Sequence, residues 1–275
     1  MGAKKIMREL NEAVKFLQKQ YKEMPQVGIV LGSGLGNFTD EIEVGQEVDY
    51  KDIPYFPVST VEGHKSKLIF GKLSGKTVVA MAGRFHYYEG YDAAEIIFPI
   101  RVMKLLGVQT LLLSNAAGTV NPGHQVGDIM IIKDHISFFT PNPLIGKNIT
   151  ELGTRFPDMS EPYKRHLIEK AKAIALTHNF VVKEGVYVAV TGPTFETRAE
   201  YNFIKVIGAD VVGMSTVQEC IAANHMGMDV FAMSVVTDIG MIEHHSTITH
   251  EEVLAAAKNA EPKLATIFKE LVAAI

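Results

Sequence analysis

The sequence has little cysteine and no long apolar run. Cys220 is the only cysteine in 275 residues, so no intrachain disulfide can form, which is typical of proteins from reducing compartments. No apolar stretch approaches the roughly 20 residues that a helix needs to cross a bilayer. The N-terminal segment MGAKKIMREL lacks the apolar core of a secretion signal. These absences favour a cytoplasmic protein with no membrane partner.

A basic surface is also missing from the sequence. Lys and Arg number 27 against 31 Asp and Glu, which gives a formal net charge of −4, and the positive charges form no run or stripe. Because nucleic acids and anionic membranes are bound through clustered positive charge, we expect neither as the main partner. No linker-like, repetitive or low-complexity segment divides the chain, so a single domain over residues 1–275 is favoured.

Hydrophobic periodicity predicts alternating helices and strands, which is typical of an α/β fold. Helices are predicted at 4–23, 93–106, 161–177, 196–207 and 218–225, with a last helix after the capping box of Thr249 and Glu252. Strands are predicted at 27–31, 67–70, 77–82, 108–113, 129–132, 181–190, 209–213 and 230–236. We expect Pro99 to kink or delay its helix and Pro262 to disturb the last one. The stretch 137–159 is predicted to be a long loop, and such loops usually serve function or subunit contacts.

One motif has two interpretations. Gly75, Lys76 and Thr77 resemble the end of a phosphate-binding P-loop, but that motif needs a glycine where this chain has Phe70. Strand-like segments lie on both sides of Ser74 and Gly75, so a two-residue hairpin turn is favoured.

Polar residues follow several predicted strands at the points where they end. Ser33 lies in a glycine-rich turn that can present N–H groups to an anion, although a tight turn needing positive φ also explains the glycines. Arg84 suits phosphate oxygens and His86 can donate to an anion, whereas a surface ion pair of Arg84 with Glu89 is the alternative. Asn115 begins a run of small residues that we expect to end its strand in a turn with room for a ligand.

Three later strands end in the same way. Phe195 offers a ring to lie against a flat ligand and Glu196 a carboxylate to accept its N–H groups, although Glu196 is equally suited to the first turn of a helix. Ser215 and the pair Thr237-Asp238 follow the last two strands. Six strand ends that supply phosphate-type donors and acceptors for a flat ring predict one shared ligand site.

These segments, taken together, match a known family pattern. The motifs in chain order are GSGLG at 32–36, His64-Lys65, GRFHYYEGY at 83–91, NAAG at 115–118, VGDI at 126–129, Phe195-Glu196, GMSTV at 213–217, Thr237-Asp238 and HEEV at 250–253. They resemble those of the trimeric class of purine nucleoside phosphorylases, over nearly the whole chain. The resemblance implies a mixed central sheet flanked by helices, a ligand site at the carboxyl ends of its strands, and a homotrimer.

The resemblance also implies a role for each matching residue. Phosphate would be bound by Ser33, His64, Arg84, His86, Asn115, Ala116 and Ser215. The ribose would lie against Tyr88, Met214 and His250. The purine would lie by Ala117, Gly118, Phe195, Glu196, Val212, Thr237 and Asp238. His86, Glu196 and Asp238 would take part in catalysis, and Phe156 would reach the site of a neighbouring subunit.

The implied reaction is phosphorolysis of a purine nucleoside or 2′-deoxynucleoside to the free base and α-(deoxy)ribose 1-phosphate, with inversion at C1′. Because phosphate is both co-substrate and nucleophile, the protein supplies positioning and electrostatic stabilisation, and no cofactor is expected. A metal is not expected either, because His244, His245 and His250 do not have the spacing of a helical zinc motif.

Asp238 departs from the family pattern. Members that act on 6-oxopurines usually carry Asn there, whereas the related methylthioadenosine phosphorylases carry Asp. A carboxylate donates a hydrogen bond only when protonated, so it favours a 6-amino over a 6-oxo group. The segment 83–91 and Glu196 nevertheless follow the oxopurine pattern. We therefore expect inosine and guanosine as the main substrates, with added tolerance for adenosine.

Three other functions stay open from the sequence. A methylthioadenosine phosphorylase would perform the same reaction on another nucleoside. A nucleoside hydrolase would use water, which would leave Ser33, Arg84 and His86 without a purpose. A nucleoside-binding protein would be stabilised by its ligand without turning it over.

Overall fold

The computed structural model describes residues 2–58, 60–61, 64–240 and 247–275. Its α-helices are α1 (Ala3–Gln20), α2 (Ala93–Ile96), α3 (Phe98–Leu106), α4 (Arg165–Thr177), α5 (Arg198–Val206), α6 (Val217–His225) and α7 (His250–Ala274). Its strands are β1 (Val27–Leu31), β2 (Glu43–Asp49), β3 (Lys67–Leu73), β4 (Lys76–Ala82), β5 (Thr110–Thr119), β6 (Ile129–Ile136), β7 (Lys183–Ala189), β8 (Val211–Gly213) and β9 (Asp229–Ile239). The α/β class is confirmed.

Within the described ranges, the strands form one mixed sheet in the order β2-β3-β4-β1-β5-β8-β7-β6-β9. In the first half, β1 runs parallel to β4 and β5, while β3 pairs antiparallel with β2 and β4. In the second half, β9 pairs with β5 as well as with β6, so β5, β8, β7, β6 and β9 close into a ring. The sheet therefore joins an open half to a barrel-like half through β5.

The strands at the junction are buried apolar runs. Every residue of β1 is buried, and β9 is buried from Val230 through Thr237. Parallel strands that are covered on both faces are typically rich in Val, Ile and Leu in this way. The helix α7 packs against β9 and α4, and α1 packs against α3. The resulting core is continuous from α1 to α7.

One strand is longer than predicted, and this changes the position of the site. Asn115 to Gly118 do not form a turn after Leu113, because β5 continues through them to Thr119 and stays paired with β9. The pairing shifts register between Ala117 and Gly118, so the small residues accommodate an irregularity in the strand instead of ending it. Thr237 and Asp238 likewise lie inside β9, and not after it.

The turn and proline predictions have mixed outcomes. The hairpin is confirmed, since Ser74 and Gly75 both have positive φ between the antiparallel strands β3 and β4. Pro99 lies in the first turn of α3, which starts after a break from α2. The prediction for Pro262 is wrong: α7 runs through it, held by a buried face that includes Leu264 and Phe268.

The remaining helix and loop predictions also differ in outcome. The helix predicted from Glu196 begins only at Arg198, behind the N-cap Thr197, so Glu196 lies outside it. The long loop at 137–159 is confirmed, since it contains neither helix nor strand. In the described part of the chain, no helix combines the length and apolar character needed to span a membrane.

Candidate active site

The ends of β1, β4, β5, β8 and β9 meet at a cavity of about 440 Å³, and the segment before α5 and the start of α7 complete its wall. The predicted site residues in this wall are Ser33, Arg84, His86, Tyr88, Asn115, Ala116, Ala117, Gly118, Phe195, Glu196, Val212, Met214, Ser215, Thr237, Asp238 and His250. His64 and Phe156 are the two predicted residues that do not line it. The convergence of strand ends on one site is thus present in the fold.

A buried carboxylate fixes Arg84 in the wall. Arg84 Nε donates to Glu219 Oε1 at 3.0 Å, Nη2 donates to Glu219 Oε2 at 2.6 Å, and Nη1 donates to the carbonyl of Ser114. The side chains of Arg84 and Glu219 are 1% and 3% exposed. The alternative of a surface ion pair with Glu89 is therefore wrong. Because two N–H groups bond one carboxylate, the plane of the guanidinium is set before any ligand binds.

Glu89 instead holds the imidazole of His86. One oxygen of Glu89 accepts from the His86 backbone N–H at 2.8 Å and lies 2.9 Å from His86 Nδ1. The other accepts from the N–H and the hydroxyl of Thr60 at 2.8 and 2.7 Å. Burial raises the pKa of Glu89, but these hydrogen bonds outweigh it and hold the pKa at about 2. Burial also lowers the pKa of His86. A neutral His86 that donates from Nδ1 to Glu89 carries its lone pair on Nε2.

His64 lies behind Ser33 and not in the wall. Its Nε2 is 3.4 Å from Ser33 Oγ, and its ring centroid is 5.7 Å from that of His86. Gly83 permits this position, since a β-carbon there would lie 2.6 Å from the His64 side chain. Burial, followed by the positive charges of His86 and Arg84, lowers the pKa of His64 to about 4. His64 is therefore neutral at pH 7 and orients the Ser33 hydroxyl.

A strained turn positions Ser215 and Asn115. Thr216 has φ +73° and ψ −48°, a conformation that residues other than glycine rarely adopt. The N–H of Val217 donates to the carbonyl of Ser215 at 2.8 Å across this turn, and the Ser215 N–H donates to Tyr187 Oη at 3.2 Å. Asn115 Nδ2 donates to Thr216 Oγ1 at 2.8 Å. Backbone strain of this kind persists where surrounding contacts hold it, and it is concentrated at functional sites.

Two half-buried carboxyl groups, Glu196 and Asp238, belong to the same wall. Burial raises the pKa of both, and the charge of Asp238 adds to the effect on Glu196. Thr237 Oγ1 donates to Asp238 Oδ1 at 2.9 Å. A β-carbon at Gly118 would lie 2.5 Å from Asp238 Oδ2, so only glycine leaves room for this oxygen. With the half-exposed ring of Phe195, this part of the wall suits a flat heterocycle that carries N–H groups.

Tyr88, Met214 and His250 also line the cavity. The Tyr88 ring stacks on that of His86, with centroids 4.7 Å apart and an interplanar angle of 13°. Gly192 brings the chain close to both Tyr88 and Met214, since a β-carbon there would lie 2.3 Å from the Met214 sulfur. His250 is the first residue of α7, behind the confirmed capping box of Thr249 and Glu252. These side chains add an amphipathic surface to the cavity that also holds the donors and the carboxyls.

Seven further residues of the wall have no role predicted from the sequence, although Gly32, Glu89, Gly213 and Val253 lie within the motifs quoted above. The wall also contains Gly32, Thr60, Val61, Glu89, Pro193, Gly213 and Val253. Glu219 does have a usable signal: it lies in α6 between Val217 and Cys220, which are apolar and buried. An acid in such a helix requires a buried positive partner.

Metal binding is not tested by the structure. Within the described residues, no three or more His, Cys, Asp or Glu side chains are grouped in a way that could hold a metal ion. His244 and His245 lie outside these residues. The expectation that no metal is needed therefore stays a prediction.

Comparison with known proteins identifies the family of this site. A model of the phosphorylase superfamily matches residues 26–273. The chain belongs to this superfamily. Purine nucleoside phosphorylase 1 of Geobacillus stearothermophilus is 49% identical over 263 residues, which are 96% of each chain. The purine nucleoside phosphorylase of Bos taurus is 44% identical over 274 residues, which are 97% of this chain and 95% of the bovine one.

Solved structures of the phosphorylase superfamily show the same fold. Isoform 2 of purine nucleoside phosphorylase from Schistosoma mansoni, in complex with cytosine and ribose-1-phosphate, has a TM-score of 0.92 at 43% identity and covers 97% of this chain and 96% of its own. These relatives show that the chain is an enzyme of the purine nucleoside phosphorylase family, which is a family of glycosyltransferases. The family predicted from the motifs, the mixed sheet and the enzyme class are confirmed.

Phe156, which is predicted to reach the site of a neighbouring subunit, lies outside the cavity of its own chain. Its side chain is 83% exposed, and it lines a separate cavity with Phe138 and Ile145, which are also largely exposed. The guanidinium of Arg155 lies 5.4 Å from the centre of its ring. A single chain of this phosphorylase therefore leaves Phe156 without an apolar cover.

The Arg84–Glu219 pair yields a prediction about stability. The substitution Glu219→Gln should lower the free energy of unfolding by about 3 kcal/mol, because the buried guanidinium of Arg84 loses its counter-charge. The measurement is urea unfolding followed by circular dichroism. Glu47→Gln, which removes an exposed ion pair with Lys67, is the control and should change stability by less than about 1 kcal/mol. Equal effects of the two substitutions would contradict a structural role for the buried pair.

Proposed function

We propose that this enzyme cleaves purine nucleosides and 2′-deoxynucleosides, chiefly those of hypoxanthine and guanine, by phosphorolysis. The observation that carries the proposal is the composition of one cavity wall. It contains a fixed guanidinium with hydroxyl groups, two half-buried carboxyls with an aromatic ring, and an amphipathic surface. These three parts match an oxyanion, a purine and a sugar, and the relatives are named for the corresponding reaction.

Phosphate is assigned to the donor-rich part of the wall. Arg84 neutralises its charge, and the hydroxyls of Ser33 and Ser215 donate to its oxygens. The lone pair on His86 Nε2 accepts the O–H of monohydrogen phosphate, so His86 orients the nucleophile without acting as an obligate base. Asn115, the backbone of Ala116 and, through Ser33, His64 complete this part of the site. Inorganic phosphate is the co-substrate, and we propose no cofactor.

The sugar and base are assigned to the rest of the wall. Tyr88 and Met214 lie against the ribose, and His250 lies near its 5′-hydroxyl. The purine lies against Phe195, with the wall formed by Ala117, Gly118, Val212 and Thr237 around it, and Glu196 and Asp238 bond its edge. The imidazole of His250 can hydrogen-bond to a 5′-hydroxyl more strongly than to a 5′-thioether. This favours a purine nucleoside phosphorylase over a methylthioadenosine phosphorylase.

The chemistry follows from this arrangement. A phosphate oxygen forms a bond to C1′ as the C1′–N9 bond breaks, and the electron pair of that bond passes to the purine. The ribose becomes cationic in the transition state, so the adjacent phosphate dianion stabilises it. Attack from the face opposite the base gives α-ribose 1-phosphate. The protein contributes placement of the two reactants and, in the protonated form of Asp238, a hydrogen-bond donor to the purine as it gains negative charge. The departing base takes up one proton, from Asp238 or from solvent, to leave as the neutral purine.

Asp238 supports tolerance for adenosine. Burial raises its pKa, which favours the protonated form. The protonated form can donate to a 6-oxo group, while the ionised form accepts from a 6-amino group. Relatives from Schistosoma mansoni at 42% and 41% identity have been solved with adenosine and with hypoxanthine.

We also propose a homotrimer in which Phe156 completes the site of a neighbouring subunit. The largely exposed Phe138, Ile145 and Phe156 form an apolar patch that one chain does not cover. A cavity of about 350 Å³ next to the site is lined by Phe139, Phe203 and Glu196, among others, and could receive an aromatic side chain. A cytoplasmic location stays a prediction.

The function is tested by release of base from inosine, guanosine, adenosine and methylthioadenosine, each with and without orthophosphate. We expect inosine and guanosine to be cleaved at least about a hundredfold faster with orthophosphate, because the wall supplies no nucleophile of its own. Chloride at matched ionic strength is the control. Equal cleavage without orthophosphate indicates a hydrolase, and ligand-induced stabilisation without product indicates a binding protein.

Base preference is tested by Asp238→Asn. The ratio of kcat/KM for adenosine to that for inosine should fall about tenfold, because the amide can donate to a 6-oxo group at every pH but accepts less strongly from a 6-amino group. Steady-state kinetics at pH 7 with both nucleosides measure the ratio. An unchanged ratio would show that Asp238 does not select the base.

The shared site is tested by Phe156→Ala. A mass of three subunits is expected by light scattering for the wild-type enzyme, and kcat/KM for inosine should fall about tenfold in the variant as an aromatic contact is lost. Leu176→Ala, at an exposed apolar position on α4, is the control and should be unchanged. Full activity of a monomer, or of Phe156→Ala, would remove Phe156 from the site.

A further inference from the structure

Tyr201 is an unsatisfied polar side chain beside the base end of the site. It lies on α5, is 4% exposed, and does not line the cavity. Among the described residues, no group meets its hydroxyl oxygen with full hydrogen-bond geometry, although Glu196 lies near enough to act on its pKa as an acceptor. A buried hydroxyl without a partner is unfavourable, and most such groups in folded proteins are bonded. Its presence next to a ligand site therefore calls for a functional explanation.

The ring of Tyr201 is fixed between the two segments that carry the purine-edge carboxyls. It packs on Gly240, two residues after Asp238, where a β-carbon would lie 2.5 Å from the ring. Its helix starts two residues after Glu196, at the capping box of Thr197 and Glu200. The ring also belongs to the small apolar cluster that contains the wall residue Val212. Tyr201 can therefore act on both carboxyls without touching the ligand.

Electrostatics show which groups the hydroxyl faces. Burial raises the pKa of Tyr201, and the charges of Glu196 and Asp238 raise it further, followed by Glu200 on its own helix. All three of these groups are acidic, so the phenol keeps its proton and is a donor. Burial raises the pKa of Glu196, and the Tyr201 hydroxyl opposes that shift. The effect on Glu196 is thus that of a donor to its ionised form.

We propose that Tyr201 is a positioning residue for base recognition: its hydroxyl donates to the Glu196 carboxylate when a purine binds and keeps Glu196 ionised, which leaves Asp238 as the carboxyl that carries the proton. Glu196 then accepts an N–H of a 6-oxopurine, while Asp238 donates to the purine. This assignment rests on the proposed function, since it concerns the same site. It separates the roles of two carboxyls that share one buried wall.

The test is the pH profile of kcat for inosine in Tyr201→Phe, because kcat reports the pKa values of the enzyme–substrate complex. The lost hydrogen bond favoured the charged form of Glu196, so its removal raises the pKa of Glu196. Activity that requires ionised Glu196 is then lost at a higher pH, and the acid limb of the profile should move up by about one pH unit. Below this limb kcat falls about tenfold relative to the wild type, whereas at alkaline pH it stays close to that of the wild type.

Two variants provide the controls. Tyr163→Phe removes another buried phenol, whose oxygen is 2.9 Å from His135 Nδ1 and which does not line the cavity, so the acid limb should stay in place. In a Glu196→Gln background, replacement of Tyr201 should no longer shift the profile, because the group that responds is absent. An unshifted limb in folded Tyr201→Phe, or a shift that persists without Glu196, overturns the proposal.

A crystal structure of the wild-type enzyme with hypoxanthine and phosphate decides the case if Tyr201→Phe does not fold. A distance of about 2.5–3.0 Å from Tyr201 Oη to a Glu196 oxygen supports the proposal, and one beyond about 3.5 Å overturns it. Failure of this proposal is distinguishable from failure of the proposed function. If the proposed function were wrong, the wild-type enzyme would show no phosphate-dependent release of base from inosine.

Discussion

The buried pairing of Arg84 with Glu219 is the interaction on which the donor-rich part of the site depends. Removal of two charges from water is unfavourable, and it is tolerated here because a carboxylate meets two N–H groups in good geometry. The pair connects the end of β4 to α6, the helix that starts behind the strained Thr216. The guanidinium and the Ser215 turn are therefore fixed together, and the site is assembled before a ligand enters.

Because β5 continues past Leu113, this one strand lines two parts of the cavity. β5 pairs with β1 in the open half of the sheet and with β8 and β9 in the closed ring. Its residues 115–118 all line the cavity, with Asn115 in the part proposed to bind phosphate and Gly118 in the part proposed to bind the base. Since a strand is stiff and its side chains alternate, β5 sets the distance between the parts of the cavity proposed to bind phosphate and purine.

The sequence predicted most of the wall because the strands end in distinctive residue types. Ser33, Arg84, Glu196 and Asp238 could be found since each follows or ends an apolar run, and the family motifs supplied the rest of the assignments. The strand through Asn115 was not predicted, because small residues after an apolar run usually indicate a turn and only the pairing with β9 keeps them extended. Arg84 and Glu219 are 135 residues apart in the sequence, so no local sequence pattern predicts that they pair with each other.

Gly118 and Asp238 illustrate how closely backbone and chemistry are joined in this wall. A carboxylate oxygen occupies the space that any side chain at position 118 would need. Volume can be added at one position only when it is removed from the other, so the two are expected to vary together among enzymes with different base preferences. An engineer who widens this corner for bulkier heterocycles would have to redesign both residues at once.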